Sequence, residues 1–193
     1  MGPFTFVPFI ECYHGIVNIS HQISGKLVIN GKEVDFTGDG YIEKDWGKSF
    51  PESYVWMQSN NFEKSKASMM FSLAKIPFLK THFTGFLSFL KFDEKMYLFS
   101  TYTNAKVKKL SYKNGNISVL IEDRKYILSI EGSYDKSGVL KAPKNGMMER
   151  KISESITSQL TVTLKSKDGK ILFKDIGQRV GLEIVKDEKK SQI

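Results

Sequence analysis

The sequence predicts an all-β protein built from antiparallel strands. Apolar and polar residues alternate with the two-residue period of a strand at 26–29, 33–36, 117–121 and 160–164. Asn-Gly or Asp-Gly pairs, which supply the positive φ angles of tight hairpins, occur at 30–31, 39–40, 114–115, 145–146 and 168–169. Segment 65–76 fits a helix or a strand, and its flanking strands favour a strand. The roughly ten to twelve candidate strands suit a closed antiparallel barrel or two packed sheets.

The composition is that of a folded domain with a substantial core. Of the 193 residues, 40% are hydrophobic and 12% are aromatic, so we expect one domain over residues 1–185. The charged segment 186–193 is predicted to be a fraying tail. No apolar run reaches the roughly 20 residues that span a bilayer, and the apolar start lacks the basic region of a signal peptide. Together with a single cysteine, these features predict a reducing, cytoplasmic location.

The net charge of +8 comes almost entirely from lysine, since only three of the 29 basic residues are arginines. Arginine forks dominate the recognition of bases and phosphates, so we expect no nucleic-acid binding. A solvated lysine-rich surface is the simplest interpretation, and weak association with an anionic membrane surface is compatible with it. A lysine-rich, arginine-poor composition also suggests an AT-rich bacterial genome.

Segment 40–47 (Gly-Tyr-Ile-Glu-Lys-Asp-Trp-Gly) concentrates the groups that could perform chemistry. On an extended strand Tyr41, Glu43 and Asp45 share one face. Repulsion between two carboxylates, together with burial, raises at least one pKa and yields an acid usable near neutral pH. Glu43 and Asp45 are therefore candidate catalytic acids. Alternatively, they face solvent and pair with lysines, as acidic residues on strands commonly do.

Segment 54–60 carries a second face of interest, formed by Tyr54, Trp56, Gln58 and Asn60. Aromatic surface beside amide groups suits a ligand that has an apolar body and a polar head. The alternative is that the tryptophan is simply a core residue.

Cys12 and His14 share the opposite strand face from Glu11 and Tyr13. Such a pair either activates a thiolate or consists of a buried small residue and a hydrogen-bonded histidine. The three histidines and single cysteine show no recognised ligand spacing, so the sequence predicts no metal site. It also contains no phosphate-binding or dinucleotide-binding loop.

These segments together resemble the tocopherol cyclase-like family. The resemblance is carried by residues 1–4, 8–15, 40–47, 50–51 and 56–60, with further matches at 74–77, 83–86, 142–143 and 146–148. The Glu-Lys-Asp-Trp-Gly block at 43–47 is its most specific part.

The resemblance implies an antiparallel, lipocalin-like or calycin-like β-barrel of roughly ten strands. Members of the family are generally longer, often with two such barrels. The sequence is therefore expected to correspond to their C-terminal portion, and a pocket between two barrels would lack one wall. A missing N-terminal barrel or a second copy of the chain is an expected partner.

The plant enzymes of the family protonate a prenyl double bond of a quinol, and the phenol oxygen closes the chromanol ring on the resulting cation. That chemistry needs an acid, a dry apolar pocket and aromatic faces, but no cofactor or metal. Carried over by position, the acid is Asp45 or Glu43. The implied substrate-binding residues are Tyr41, Trp46, Trp56, Gln58 and Asn60, with Tyr13 and His14 as further candidates.

The function expected from the sequence is acid-catalysed cyclisation, or hydration, of a prenylated quinol or a related isoprenoid. The alternative is a lipocalin-like barrel that carries a hydrophobic ligand without transforming it. Both predict a hydrophobic small molecule as the partner.

Overall fold

The computed structural model describes residues 2–8, 10–78, 81–134 and 137–186. All twelve strands in these ranges pair in antiparallel fashion. The only helices there are short 3₁₀ turns at Gly2–Phe6 and Thr101–Thr103. The strands are β1 (Cys12–Ile29), β2 (Lys32–Gly47), β3 (Tyr54–Ser59), β4 (Ser68–Phe78), β5 (Thr81–Phe92), β6 (Lys95–Ser100), β7 (Lys106–Lys113), β8 (Asn116–Glu122), β9 (Tyr126–Ser133), β10 (Gly138–Lys144), β11 (Met147–Ser166) and β12 (Ile171–Val185).

The strands form two sheets. A ten-stranded sheet has the order β6-β5-β4-β3-β12-β11-β9-β8-β7, and β10 pairs with the first part of β11. The second sheet is the long hairpin of β1 and β2. The predicted all-β, antiparallel architecture is therefore confirmed, and segment 65–76 contributes to strand β4 as expected.

One apolar core lies on the concave side of the large sheet. Alternate residues of β3, Val55 and Met57, are fully buried, and so are Phe71 of β4 and Leu160 of β11. The same cluster includes Phe99 from β6, at one end of the sheet. Because side chains from both ends of the sheet meet in one cluster, the sheet curls around its core.

The sheet is not closed into the barrel that the sequence led us to expect. β6 and β7 stand at the two ends of the strand order, and within the described ranges they form no ladder with each other. The chain between them passes through the 3₁₀ turn Thr101–Thr103 and a left-handed Asn104 with φ 60°. Since this connection is not a tight hairpin, β7 does not fold back against the edge of β6.

Most of the predicted turns are present, but one is wrong. Asn30, Asn114 and Asn145 have positive φ angles and lie between paired strands. Residues 39–40, in contrast, lie inside β2. A side chain at Gly40 would overlap the imidazole ring of His21. The glycine is needed here for this close approach across the hairpin and not for a turn.

The β1–β2 hairpin extends beyond the large sheet. Its outer part exposes apolar side chains on one face, among them Ile23, Leu27 and Val34. Its inner part lies over the convex face of the large sheet, where Tyr41 stacks on Phe89 at 6.3 Å between ring centroids. Of the predicted tail, residues 186–193, only Lys186 lies within the described ranges. No helix in the described ranges is both long and apolar enough to cross a membrane.

Candidate active site between the hairpin and the sheet

The inner part of the β1–β2 hairpin and the convex face of the large sheet enclose a cavity of about 200 Å³. The N-terminal 3₁₀ turn closes one side of it, because Phe4 stacks on Phe83 at 5.5 Å between ring centroids. The lining residues are Phe4, Cys12, His14, Glu43, Asp45, Phe50, Pro51, Tyr54, Trp56, Ser72, Ala74, Ile76, Gly85, Phe86, Leu87, Thr101, Tyr102 and Glu183. Acidic and aromatic groups thus face one half-open cavity.

The hairpin contributes an ionic cluster to this cavity. The register of β1 and β2 sets His14 directly opposite Asp45 and Ile16 opposite Glu43. His14 Nδ1 donates a hydrogen bond to Asp45 Oδ1 at 2.9 Å and lies 3.8 Å from Glu43 Oε1. Tyr41 Oη donates a hydrogen bond to Glu43 Oε2. The strand period does bring Tyr41, Glu43 and Asp45 to one face, as predicted.

Burial and mutual interaction alter the acidity of this cluster. Burial raises the pKa of Glu43 above its usual range, and the charge of Asp45 adds to that effect. The charge of His14 and the hydrogen bond from Tyr41 oppose it without cancelling it. For His14, burial lowers the pKa, but the bond to Asp45 and the charges of Glu43 and Asp45 outweigh burial, so its pKa is raised. Glu43 and His14 therefore hold their protons at a higher pH than isolated side chains would.

The sheet contributes a second acidic group that the sequence did not reveal. Glu183 on β12 pairs with Trp56 of β3 on one side and with Glu154 of β11 on the other. Tyr54 Oη donates a hydrogen bond to Glu183 Oε2 at 2.6 Å. Burial raises the pKa of Glu183 to about 7, although the Tyr54 bond lowers it, and the charges of Glu154, Asp45 and Glu43 raise it further. Burial also raises the pKa of Glu154.

The signal for Glu183 in the sequence is faint but present. It lies in the run Leu182-Glu183-Ile184-Val185, where the adjacent residue Leu182 is fully buried. An acidic residue in an otherwise apolar strand end is a reason to suspect a functional carboxylate.

Apart from Ser72 and Thr101, the remaining walls of the cavity are apolar or aromatic. Phe50 contacts Tyr54 edge-on at 6.1 Å between ring centroids. Gly181 leaves room for the Trp56 indole, because a Cβ atom there would lie 2.9 Å from two of its ring carbons. The Trp56 indole faces Glu43 and lowers its pKa. Trp56 therefore stands between the carboxylates of the hairpin and those of the sheet.

The other predicted binding residues are divided between the cavity and its surroundings. Tyr41 lies behind Glu43 and supports it. Tyr13 and Trp46 stack on each other at 5.6 Å between ring centroids, and neither is among the residues that line the cavity. The Trp46 side chain is 44% exposed.

The two predicted amide residues also stand outside the lining. Asn60 Nδ2 donates to the carbonyl of Asp39 at 3.0 Å and so ties β2 to the end of β3. Gln58 is half-buried on the same strand face as Trp56 but does not line the cavity.

Cys12 lines the cavity beside His14, as their shared strand face predicted. Burial raises the pKa of the Cys12 thiol to about 12, and the charge of Asp45 contributes. A thiol with so high a pKa is protonated at neutral pH, so this environment does not activate a thiolate nucleophile.

Among the residues that the structure describes, one group of side chains has the geometry to hold a metal ion. One ligand atom each from His14, Glu43 and Asp45 lies within 4.8 Å of the others, and these residue types are common ligands of divalent metals. The sequence predicted no metal. In the structure, the hydrogen bond between His14 and Asp45 supplies each with a partner from within the protein.

Comparison with known proteins places this fold and site in context. A rice protein (Oryza sativa subsp. japonica) described as a probable chloroplastic tocopherol cyclase is 25% identical over 142 residues, which cover 70% of this chain and 30% of the rice protein. The chain thus spans about a third of the length of that relative. A solved structure of a putative AttH from Nitrosomonas europaea aligns with a TM-score of 0.46 and 13% identity, over 91% of this chain and 53% of that one.

The family assignment rests on a match over nearly the whole chain. The model of the family described as tocopherol cyclase-like matches residues 2–185, a range that contains all twelve strands and the whole cavity lining. The chain therefore belongs to the tocopherol cyclase-like family.

Proposed function

We propose that this protein catalyses acid-promoted cyclisation, or hydration, of a prenylated quinol or related isoprenoid in the cavity between the β1–β2 hairpin and the sheet. The observation that carries the proposal is Glu183. Its pKa of about 7 leaves the carboxyl group substantially protonated at neutral pH while it faces a cavity with aromatic walls. A carboxylic acid in this state is the kind of proton donor that alkene protonation requires.

The proposed reaction balances without a cofactor. The Glu183 carboxyl transfers its proton to the less substituted alkene carbon, and the π electrons form the new C–H bond. The resulting tertiary cation is stabilised by the faces of Trp56 and Tyr54. A phenol oxygen of the same molecule forms a C–O bond to the cation and releases its proton to the His14–Asp45 pair. Solvent exchange returns a proton to Glu183, so the net reaction is an isomerisation. If water attacks instead of the phenol, the product is a tertiary alcohol.

Glu43 is the alternative donor, in keeping with the sequence-based prediction. Its pKa is also raised, chiefly by burial. Asp45 is hydrogen-bonded to His14, which suits it better to accepting or relaying a proton. The proposal therefore assigns donation to Glu183 or Glu43 and the proton-accepting role to the pair of His14 and Asp45.

The size of the cavity limits how much of a substrate it encloses. An apolar cavity of about 150 Å³ accommodates a benzene molecule, so the 200 Å³ present here holds an aromatic head and little more than its first isoprene unit. A longer tail would extend out of the cavity. The rice relative, described as a probable tocopherol cyclase, supports a quinol head, but that protein is much longer than this chain, so the substrate itself is part of the proposal.

The test is turnover of a short prenylated hydroquinone, with the unchanged mass and loss of the alkene protons as the signature of cyclisation. We expect Glu183→Gln to lower the rate by about 10²- to 10⁴-fold if it is the donor. Glu43→Gln tests the alternative donor, and Asp45→Asn tests the acceptor. Glu33→Gln, an exposed substitution on the outer hairpin, is the matched control and should not change the rate.

Activity equal to that of the wild type in Glu183→Gln, Glu43→Gln and Asp45→Asn would refute acid catalysis at this cavity. Binding without turnover in the wild type would indicate the carrier function instead. Binding can be followed through Trp56 fluorescence in a Trp46→Phe background, since Trp56 lines the cavity and Trp46, the other tryptophan, does not.

A further inference from the structure

We propose that the tip of the β10–β11 hairpin is a docking site for an anionic lipid surface. Four large apolar side chains are exposed on this hairpin: Met147 at 60% and Met148 at 56% lie at its tip, and Val139 at 67% and Leu140 at 45% lie further from the turn, opposite Ser153 and Ile152. Exposed apolar side chains that cluster at one hairpin tip are characteristic of interaction surfaces. Methionine side chains are flexible, so they adapt to an irregular partner such as a lipid headgroup layer.

The same tip is basic. Lys141, Lys144 and Lys151 are exposed on the hairpin, and Lys48 lies against it, because the Gly146 amide donates to the Lys48 carbonyl at 2.7 Å. In the described ranges none of these four lysines forms an ion pair. We call Met147, Met148 and these four lysines the tip patch.

The chemistry of the tip patch selects its partner. Unpaired lysines beside exposed methionines match a surface that is negatively charged outside and apolar beneath, as an anionic bilayer is. Nucleic acid offers negative charge without an apolar layer. Glu149 is the single acidic residue from 139 to 151, so the hairpin tip keeps a clear positive excess.

The tip patch is also mechanically joined to the cavity wall. Arg150 donates from its two terminal nitrogens to the carbonyls of Pro51 and Glu52, at 2.6 and 2.5 Å. The Phe50 amide donates to the Pro143 carbonyl at 3.1 Å. Phe50 and Pro51 line the cavity. A lipid surface bound at the tip would therefore lie next to one wall of the cavity.

Lipid binding at the tip patch is independent of the proposed reaction and can be measured without any substrate. The full chain is mixed with vesicles of phosphatidylcholine and phosphatidylglycerol in equal parts, and with vesicles of phosphatidylcholine alone, and bound protein is separated by flotation. We expect binding to the mixed vesicles only. The triple substitution Lys141→Glu, Lys144→Glu and Lys151→Glu should weaken that binding by about 100-fold or more, because each lysine near such a surface contributes about fivefold.

The matched control reverses the same number of charges elsewhere. Lys109, Lys113 and Lys174 are exposed on β7 and β12, and the triple change of these to glutamate gives the same net charge as the tip variant. The proposal requires the control to retain most of the binding. Equal weakening by both triple variants would show that only the overall charge attracts the protein, and would overturn the proposal.

A second variant tests the apolar part of the tip patch and does not alter charge. Met147→Ser with Met148→Ser changes only exposed side chains, so it should fold normally. We expect it to weaken vesicle binding by about tenfold, with the loss persisting at high salt, where lysine attraction is screened. Unchanged binding by this variant, or no binding of wild type to the mixed vesicles, would overturn the proposal.

Discussion

The stability of the fold depends on pH through Glu183, because burial raises the pKa of its carboxyl group from the ordinary value of 4.5 to about 7. A carboxyl group with a raised folded-state pKa stabilises the fold fully below its unfolded pKa. That contribution is lost as pH rises through the folded pKa. We expect the free energy of unfolding to fall by about 1–3 kcal/mol more in wild type than in Glu183→Gln between pH 4.5 and 8. Urea denaturation across that range measures the difference.

Asp175 provides a control with the opposite sign. Burial raises its pKa, but hydrogen bonds from Ser65 and from the amides of Ile176 and Lys64 lower the pKa by a larger amount, so the net pKa is below the usual range. Its stabilising effect is therefore present above the unfolded pKa and is lost as pH falls. If Glu183→Gln and Asp175→Asn changed the pH dependence of the free energy of unfolding in the same direction, the raised pKa assigned to Glu183 would be wrong.

The shared face of Glu43 and Asp45 on the hairpin could be predicted from the sequence, and the position of Glu183 in the cavity could not. Glu43 and Asp45 are two residues apart, so the strand period alone sets them on one face. His14 joins them through the register of one hairpin. Glu183 reaches the same cavity only because β12 pairs with β3, and these strands are more than a hundred residues apart in the chain. Such pairing depends on the whole topology, which local periodicity does not specify.

The outer part of the β1–β2 hairpin is an element with few ways to stabilise itself. Its residues from 23 to 38 pair only with each other, and a two-stranded hairpin is marginally stable in water. We expect its backbone amides to exchange hydrogen through openings that cost at least about 2 kcal/mol less than those of Val55 and Met57 in β3. Native-state hydrogen exchange resolved by residue measures both sets.

Protection of the outer hairpin equal to that of β3 would contradict this expectation. It would mean that the apolar face with Ile23, Leu27 and Val34 is covered in solution. Both partners anticipated from the sequence, a further barrel or a second copy of the chain, would then be candidates, and sedimentation at several protein concentrations would separate them.

The pairing within the long hairpin also explains why the turn predicted at residues 39–40 is wrong. Residues 30–31 and 39–40 carry the same kind of dipeptide signal. Only the first becomes a turn, because β1 and β2 pair continuously around it. At Gly40 the missing side chain makes room for His21 across the hairpin. A dipeptide signal identifies where glycine is needed, but the reason for that need is set by the opposite strand.

At the scale of the molecule, one core holds an open sheet together. The strand content and antiparallel pairing follow from local alternation and turn residues, so they could be predicted. Closure could not, because it depends on whether the connection after β6 returns the chain to the same edge. Tyr97 of β6 contacts Tyr126 of β9 at 5.1 Å between ring centroids. Side-chain packing across the core therefore joins β6 to β9, although no ladder of hydrogen bonds in the described ranges joins the edge strands β6 and β7.

If a single core unites the sheet, one substitution should destabilise all of it. Leu160 is fully buried in β11, and Leu160→Ala should lower the free energy of unfolding by about 2–5 kcal/mol, because it removes buried contacts and leaves a cavity. Ile156→Ala on the same strand, at a side chain that is 67% exposed, should change it by less than about 0.5 kcal/mol. Urea transitions followed by circular dichroism and by Trp56 fluorescence, in a Trp46→Phe background, should coincide in every variant. Separate transitions would mean that the strands around the cavity and those at the far end of the sheet unfold as two units, despite their common core.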